Sequence, residues 1–510
     1  MSSLTRPVET AGLNPKSFPV PGWKRFDRAW LLPLVLACCI VRMWLAPLPS
    51  SFWVDEMGTE FVVQHPADPS LQVVPQVPES VYYILPRAAQ WLFGTSEIAY
   101  RLPSLLLMAA ALWFIARIAQ RLIHPDAGWF AVFACLLLRE FSYQAADARP
   151  YALGTFVAGA ALFFLIRWLD SGRWREALFF ALCAALLWPV HLLFWPFYFV
   201  FAAYALSRLL RGQTNARWSQ VALVTALVVA ALLPVAAEAL ALKRQASAHV
   251  VVPIPTLADL TKGLKLEFIL PFCAVSALLA RWFRWPRVPP AAAFHSLVLV
   301  FAWWLCQPLC LFAFSRLSGT SVFLSRYLYI ALPGIALTAT VAAAAFVPAA
   351  YWKQMAAVLG VGVLIFHGHW NHLLPPHHNS DWRGAARAIN AELAGGNNPV
   401  ICPSPFIEAR PPVWRSGYPI DTFLYTHLAA YPISGTRYPF PFETSLEAEQ
   451  FAASLARGTL ARSGKFVIYG GDRAAQFWRN WFSGRPEFAG WRIRSLGSFG
   501  DVEALVFEKI

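Results

Sequence analysis

Charge is scarce in this chain. Asp, Glu, Lys and Arg together make up 14% of the 510 residues, and acids are outnumbered 28 to 42 by bases. A soluble globular domain carries about a quarter charged residues, so most of this surface is not built to face water. The eight cysteines form neither a CxxC pair nor a disulfide framework. Cys38, Cys39, Cys135, Cys183, Cys273, Cys306 and Cys310 fall in apolar stretches, and only Cys402 lies in a polar region. They read as small packing residues, although Cys306 and Cys310, one helical turn apart, could in principle chelate. Neither GxGxxG nor a Walker loop occurs, which removes the usual phosphate cradles of nucleotide-dependent enzymes. Internal repeats and low-complexity tracts are missing as well.

What is abundant is apolar: 58% of the residues are hydrophobic and 15% aromatic. A helix that crosses a bilayer needs roughly 20 mostly apolar residues, and about eleven stretches qualify. They are 30–47, 102–120, 127–141, 151–168, 177–190, 192–207, 219–241, 266–281, 292–314, 327–347 and 355–370. The two that flank Pro189-Val190-His191 could form one bent unit. The expected fold is a polytopic α-helical membrane protein of about eleven transmembrane helices, followed by a soluble α/β domain.

The net charge of +14 points to the membrane rather than to nucleic acid, because the bases sort by side. Arg6, Lys16, Lys24, Arg25 and Arg28 precede the first stretch, and Arg117, Arg121, Arg167, Arg173, Arg175, Arg208, Arg211, Arg217, Arg281, Arg284 and Arg287 fill alternate loops. By the positive-inside rule those loops and the N-terminus face the cytoplasm. The expected division is a cytoplasmic segment 1–29, a transmembrane domain 30–370 with a long outer loop 50–100, and a periplasmic domain 371–510. The polar residues before the first stretch and the lack of a small-residue cleavage site after it lead us to expect that this stretch stays as an anchor.

The outer loop is far longer than an ordinary helix connection. Within it, Pro86 to Phe93 reads as an amphipathic helix lying on the membrane surface. A second outer loop spans Lys243 to Lys265, and a third, Ser-rich, spans Ser315 to Arg326. Beyond Trp370, Asp381 is placed to cap a helix carrying Trp382, Ala385, Ala386 and Ile389. Pro399–Cys402, Phe466–Tyr469, Trp491–Leu496 and Ala504–Phe507 are predicted strands, and Leu446–Arg457 a helix.

The adjacent carboxylates Asp55 and Glu56 follow the first apolar stretch at the depth where lipid meets water. Acids there lose hydration and persist where they pair, hold an ion or move protons; a solvated loop start anchored by Trp53 is the plainer account. Glu140 and Asp147, with Arg139 and Arg149, crowd the outer end of the third and fourth stretches on the same side. They could share a cavity with Asp55 or form salt bridges that only fix helix ends. Arg101 and Ser325-Arg326-Tyr327 open later stretches, where a guanidinium can grip a phosphate or simply snorkel to lipid headgroups. Five histidines, His367, His369, His372, His377 and His378, gather at the junction with the soluble part. Their spacing fits no defined zinc pattern, and Pro375-Pro376 interrupts any helix between them.

In this order the elements resemble the GT-C superfamily of membrane glycosyltransferases, in particular bacterial relatives of the dolichyl-phosphate-mannose protein mannosyltransferases and the aminoarabinose transferases. The carriers of the resemblance are Asp55-Glu56 after the first span, Arg101-Leu102-Pro103-Ser104 opening the second, Ala148 to Leu153 opening the fourth, and Arg326-Tyr327-Leu328 opening a late span. The resemblance covers about the first 370 residues; the soluble part aligns with no named domain.

It implies a catalytic Asp in the first outer loop, here Asp55, and a polyprenyl-phosphate sugar as donor. Asp55 would act as the catalytic base; Glu56, counted with it as catalytic, or Glu140 or Asp147 would orient the acceptor or hold a divalent cation. Arg101, Arg149, Arg326 and Tyr327, with Lys243, Arg244, Lys262 and Lys265 of the second long loop, would bind the donor phosphate. The acceptor is expected to be a glycan, lipid or protein, and the compartment the outer face of a bacterial inner membrane. A transporter or flippase of lipid-linked sugars is the alternative; it would place its charges within spans.

Overall fold

The computed structural model describes residues 30–74, 77–245, 253–285, 292–368, 370–394 and 396–510, without the side chains of 242–245. The segment 1–29 lies outside the described residues, as do His369 and the side chains of Lys243 and Arg244.

The chain is a polytopic helical membrane protein. Among the described residues seven helices are long and apolar enough to cross a bilayer, and the pair Leu257–Gly263 and Leu266–Trp282, bent by 55°, makes an eighth. Leu31–Leu45 and Ala127–Leu137 are apolar but shorter. At about 1.5 Å per residue an 11-residue helix rises only about 16 Å, half the hydrocarbon thickness. The count of about eleven stretches from sequence includes these two and Trp174–Val190, 17 residues long.

The region around Pro189 is not one bent unit. Trp174–Val190 ends at the proline, and a 3₁₀ helix, Leu192–Phe197, runs into Tyr198–Leu209. Arg208 Nη1 then meets Asp170 Oδ1 at 2.8 Å, which returns the chain to the end of Tyr151–Ser171. The two helices thus form a hairpin. Arg121 also bonds Asp170, and Arg167 bonds Glu176, so the basic side chains collect at this end of the bundle. Tyr151 lies at the other end, about 30 Å away at 1.5 Å per residue.

Two helices are central. Tyr151–Ser171 and Ser325–Ala344 are each 78% buried over their apolar windows, against 22% for Trp218–Ala241 and 33% for Phe294–Ser318, whose apolar faces point outward. Close approach supports this packing: a Cβ on Gly334 would sit 2.5 Å from the backbone of Trp303, so only glycine lets the helices touch there. Trp303 Nε1 also donates to Ile330 O at 2.8 Å. The starts of the two central helices, Arg149-Pro150-Tyr151 and Ser325-Arg326-Tyr327, face the same end as the long loop.

That loop is structured. Helix Val54–Gln64 follows Trp53, whose N–H donates to Glu56. Ile84–Phe93 buries Pro86 and Ala89 and exposes Ile84, Trp91, Leu92 and Phe93, the apolar face expected of a helix resting on lipid.

After the last apolar helix, Trp352–His367, comes a mixed sheet. Its strands are β1 (Pro399–Pro403), β2 (Thr436–Phe440), β3 (Lys465–Gly471), β4 (Arg492–Ser495) and β5 (Val502–Glu508), in the order β2-β1-β3-β5-β4. β2 pairs in parallel with β1, whereas β5 is antiparallel to β3 and β4. Sequence patterning missed β2, a half-exposed edge strand that carries Pro439, a residue tolerated at edges only. Asp381 caps Trp382–Leu393 through Gly384 N at 2.9 Å. This α/β unit is seated on the loop: Arg383 pairs with Glu97 at 2.9 Å, Tyr431 donates to Glu97 at 3.0 Å, and Phe52 N donates to the Tyr431 hydroxyl at 2.8 Å.

Candidate active site

Asp55 and Glu56 are neighbours in sequence but point to different environments, because successive residues of a helix lie about 100° apart. Glu56 turns inward and is fully buried. Its carboxylate accepts from Arg101 Nε at 2.8 Å, from Arg101 Nη2, and from Ala148 N at 2.8 Å. Arg101, equally buried, spends its remaining N–H groups on Leu48 O, Ser50 O and Ser51 O at 2.7 to 3.1 Å. The pair therefore ties the exit of the first apolar helix, the helix that starts at Glu97 and the loop before Tyr151 into one unit. A buried ion pair survives only when its spare donors and acceptors are satisfied, and here they are. All of Arg101's donors being spent, it has nothing to offer a donor phosphate, contrary to the expectation from sequence.

Asp55 turns toward the opening. Its carboxylate meets Arg326 Nη1 at 2.7 Å and Arg149 Nη2 at 3.5 Å, and its side chain keeps 19% exposure. Arg149 is further fixed by donating to Asp55 O at 3.1 Å. Arg326, 36% exposed, lies over the Tyr327 ring at 5.5 Å. The residues that open the two central helices thus converge on one carboxylate.

Behind Asp55 lies a buried polar seat that sequence did not assemble. Trp53 Nε1 donates to Asp147 Oδ1 at 3.0 Å. His378 stacks on Trp53 at 4.2 Å, and His377 stacks on Tyr143 at 3.9 Å. His377 Nε2 stands 3.7 Å from Asp147 Oδ1. Burial pushes the Asp147 carboxyl above the ordinary carboxylate range and holds both imidazoles down at about 3, His378 being lowered further by His377 beside it. Both histidines are neutral at pH 7. The only sequence hint of this seat was the His-His dipeptide after Pro375-Pro376. The histidine cluster does not come together as a whole, since His367 bonds Leu137 O at 2.9 Å instead.

Glu140 and Lys265 form a third element, an ion pair at 2.5 Å. With Lys262, Ser325, Tyr329 and Leu332 they line a mostly apolar cavity of about 290 Å³. Ser325, which lines the cavity, precedes Arg326, whose guanidinium holds Asp55. Tyr327 itself packs near His191, with ring centres 5.2 Å apart.

A divalent cation was one role considered for the acids. Among the described residues Glu56, Asp147 and His377 bring one ligand atom each within 4.8 Å of one another. The donor set does not suit a dication: both Glu56 oxygens are held by Arg101, and its positive charge would oppose a second one. Glu140 is tied to Lys265 outside this group.

Residues 78–236 match the family model described as dolichyl-phosphate-mannose-protein mannosyltransferase. No curated protein matches the chain in sequence. Among solved structures, the chain is similar to ArnT from Cupriavidus metallidurans bound to undecaprenyl phosphate, with a TM-score of 0.56 and 11% identity over 94% of this chain and 98% of that one. The apo form of the same protein gives a TM-score of 0.55 and 11% identity over 93% and 97%. At that identity the likeness is one of fold, and it extends through the sheet-bearing unit. The chain has the fold of the GT-C membrane glycosyltransferases, the superfamily that its ordered motifs resemble.

Proposed function

We propose that the chain transfers a sugar from a polyprenyl-phosphate donor to an acceptor hydroxyl, with inversion, at the outer face of a bacterial inner membrane. The observation that carries this reading is Asp55: a carboxylate left partly open, gripped by Arg149 and by Arg326, whose neighbour Ser325 lines a cavity together with Lys262 and Lys265. The mannosyltransferase family match and the likeness to ArnT, solved with undecaprenyl phosphate, support it. The positive-inside pattern supports a cytoplasmic N-terminus, and the contacts of Arg383 and Tyr431 with Glu97 and Phe52 of the long outer loop support an outer sheet-bearing unit.

The chemistry asks for two things. The sugar already carries a good leaving group, so the acceptor must become more nucleophilic and the departing phosphate must be stabilised. Asp55 takes the acceptor proton as the oxygen attacks the anomeric carbon from the face opposite the phosphate. The C–O bond to the phosphate breaks, and the electron pair leaves with the carrier. Lys262, Lys265 and Arg326 supply positive charge to the phosphate, while the apolar walls accept the first prenyl units. Glu140 holds Lys265 in place. Asp147 carries Trp53 and, through it, the start of the Asp55 helix. The transport alternative loses support because these charges cluster at helix starts, not along the spans.

The test is release of polyprenyl phosphate from lipid-linked sugars by the purified protein. Asp55→Asn should lower turnover about 10²- to 10⁴-fold, the usual share of a general base, with the unfolding midpoint unchanged within a few degrees. Retained turnover removes Asp55 from the role, and no release from any donor returns the transporter.

A further inference from the structure

Asp55 is the proposed base, yet its Oδ2 lies 2.7 Å from Arg326 and 3.5 Å from Arg149. A carboxylate held by two guanidiniums is a weak proton acceptor, because taking the proton forfeits both attractions. The two partners differ in their freedom to leave. Arg149 also bonds the Asp55 carbonyl at 3.1 Å and is 19% exposed. Among the described residues Arg326 makes no other hydrogen bond and its side chain is 36% exposed, while the Nε of each arginine is buried without a partner. Its neighbour Ser325 lines the cavity that also presents Lys262 and Lys265.

We infer that Arg326 is a shared positioning residue that passes from Asp55 to the donor phosphate, so that the base is released only when the donor is in place. The inference rests on the proposed transfer reaction and deepens it. Charge conservation gives the direction. The donor phosphodiester carries one negative charge and Asp55 one. On transfer the acceptor proton goes to Asp55, which becomes neutral, while the C–O bond to phosphate breaks and the carrier leaves as a phosphomonoester with a second negative charge. One unit of negative charge thus moves from the carboxylate to the phosphate, and a guanidinium that moves the same way stays paired throughout. Arg149, fixed to the backbone, remains to orient Asp55. A donor-free site keeps its base masked, which suppresses stray proton chemistry and sets donor before acceptor.

Binding, not turnover, tests this. Polyprenyl phosphate in detergent is titrated into wild type, Asp55→Asn, Arg326→Gln and the double variant, with inorganic phosphate as a second arm; Asp55→Ser replaces Asp55→Asn should that variant fail to fold. Because binding in wild type must break a part-exposed ion pair worth about 0.2–1 kcal/mol, Asp55→Asn should bind the carrier up to about fivefold tighter. Arg326→Gln should bind it more weakly, and in the Arg326→Gln background the Asp55 substitution should have no effect. Equal or weaker binding by Asp55→Asn, or a gain that persists without Arg326, overturns the exchange. Failure of wild type to bind the carrier overturns the transfer reading itself. The same pattern with inorganic phosphate would assign the exchange to the phosphate alone, and its restriction to the lipid form would assign it to the docked carrier; both sustain it.

Discussion

Asp55 and Glu56 are the same chemical group at consecutive positions, and the fold gives them opposite tasks. The Glu56 side is closed: every oxygen and every Arg101 N–H is matched, and no exposure remains. The Asp55 side is open: its carboxylate keeps 19% exposure, and the Nε of Arg149 and of Arg326 has no partner. A saturated ion pair resists change and suits holding helices together, whereas an unsaturated one can exchange partners and suits chemistry. That contrast yields measurable consequences.

The largest lies on the closed side. Glu56→Ala leaves Arg101 buried and unpaired, and should cost about 3–5 kcal/mol of stability, seen as a collapse of the unfolding midpoint in detergent or of folded yield. Glu56→Leu with Arg101→Met should recover only part of that loss, since it removes the unpaired buried charge but leaves Ala148 N–H and the carbonyls of Leu48, Ser50 and Ser51 without partners. If Glu56→Ala instead folds normally and only slows transfer, the two carboxylates do not divide their tasks in this way.

The next concerns the open side. Lys265→Met removes a charged donor from the cavity lining and leaves Glu140 unpaired. It should raise KM for the lipid-linked donor about tenfold, the value of one charge-assisted hydrogen bond, with little change in the melting temperature. A fall in kcat at constant KM would show that Lys265 acts on the transition state alone.

The smallest effect tests the seat between the two sides. His377 and His378 are held near 3 in the folded protein against an ordinary 6.5, so folding favours their neutral forms. Their contribution is full above pH 6.5 and is lost as pH falls from 6.5 toward 3. The groups that face them are Tyr143, Trp53, Asp147, Asp55, Glu56 and Arg101. His378→Gln should lessen the acid-side drop in melting temperature by a few degrees across that window. An unchanged slope would mean that His378 titrates normally and lies outside the seat.

Much of this was legible in the chain itself. Apolar runs bounded by arginines specify spans because the bilayer admits little else, and short carboxylate and arginine motifs at the starts of those runs marked one end of the bundle. Asp55, Arg149 and Arg326 were singled out at such positions and Lys262 and Lys265 in the second long loop; the structure brings the first three together and lines one cavity with the two lysines and Ser325. The strands β1, β3, β4 and β5 followed from short apolar or alternating runs, while edge strand β2, with its Pro439, carried too weak a pattern to be seen.

Other assignments needed three dimensions. Sequence could not tell Asp55 from Glu56, since which carboxylate is enclosed depends on where Arg101, 45 residues away, delivers its guanidinium. Nor could it place His377 and His378 against Tyr143 and Trp53, because stacking between segments more than 200 residues apart leaves no periodic trace. The amino-acid order determined that this chain lives in a membrane and where its charges meet the surface, because hydrophobic length and charge position act locally. Only the tertiary structure decided which charges are locked and which are free to react, because burial and pairing belong to the packed assembly.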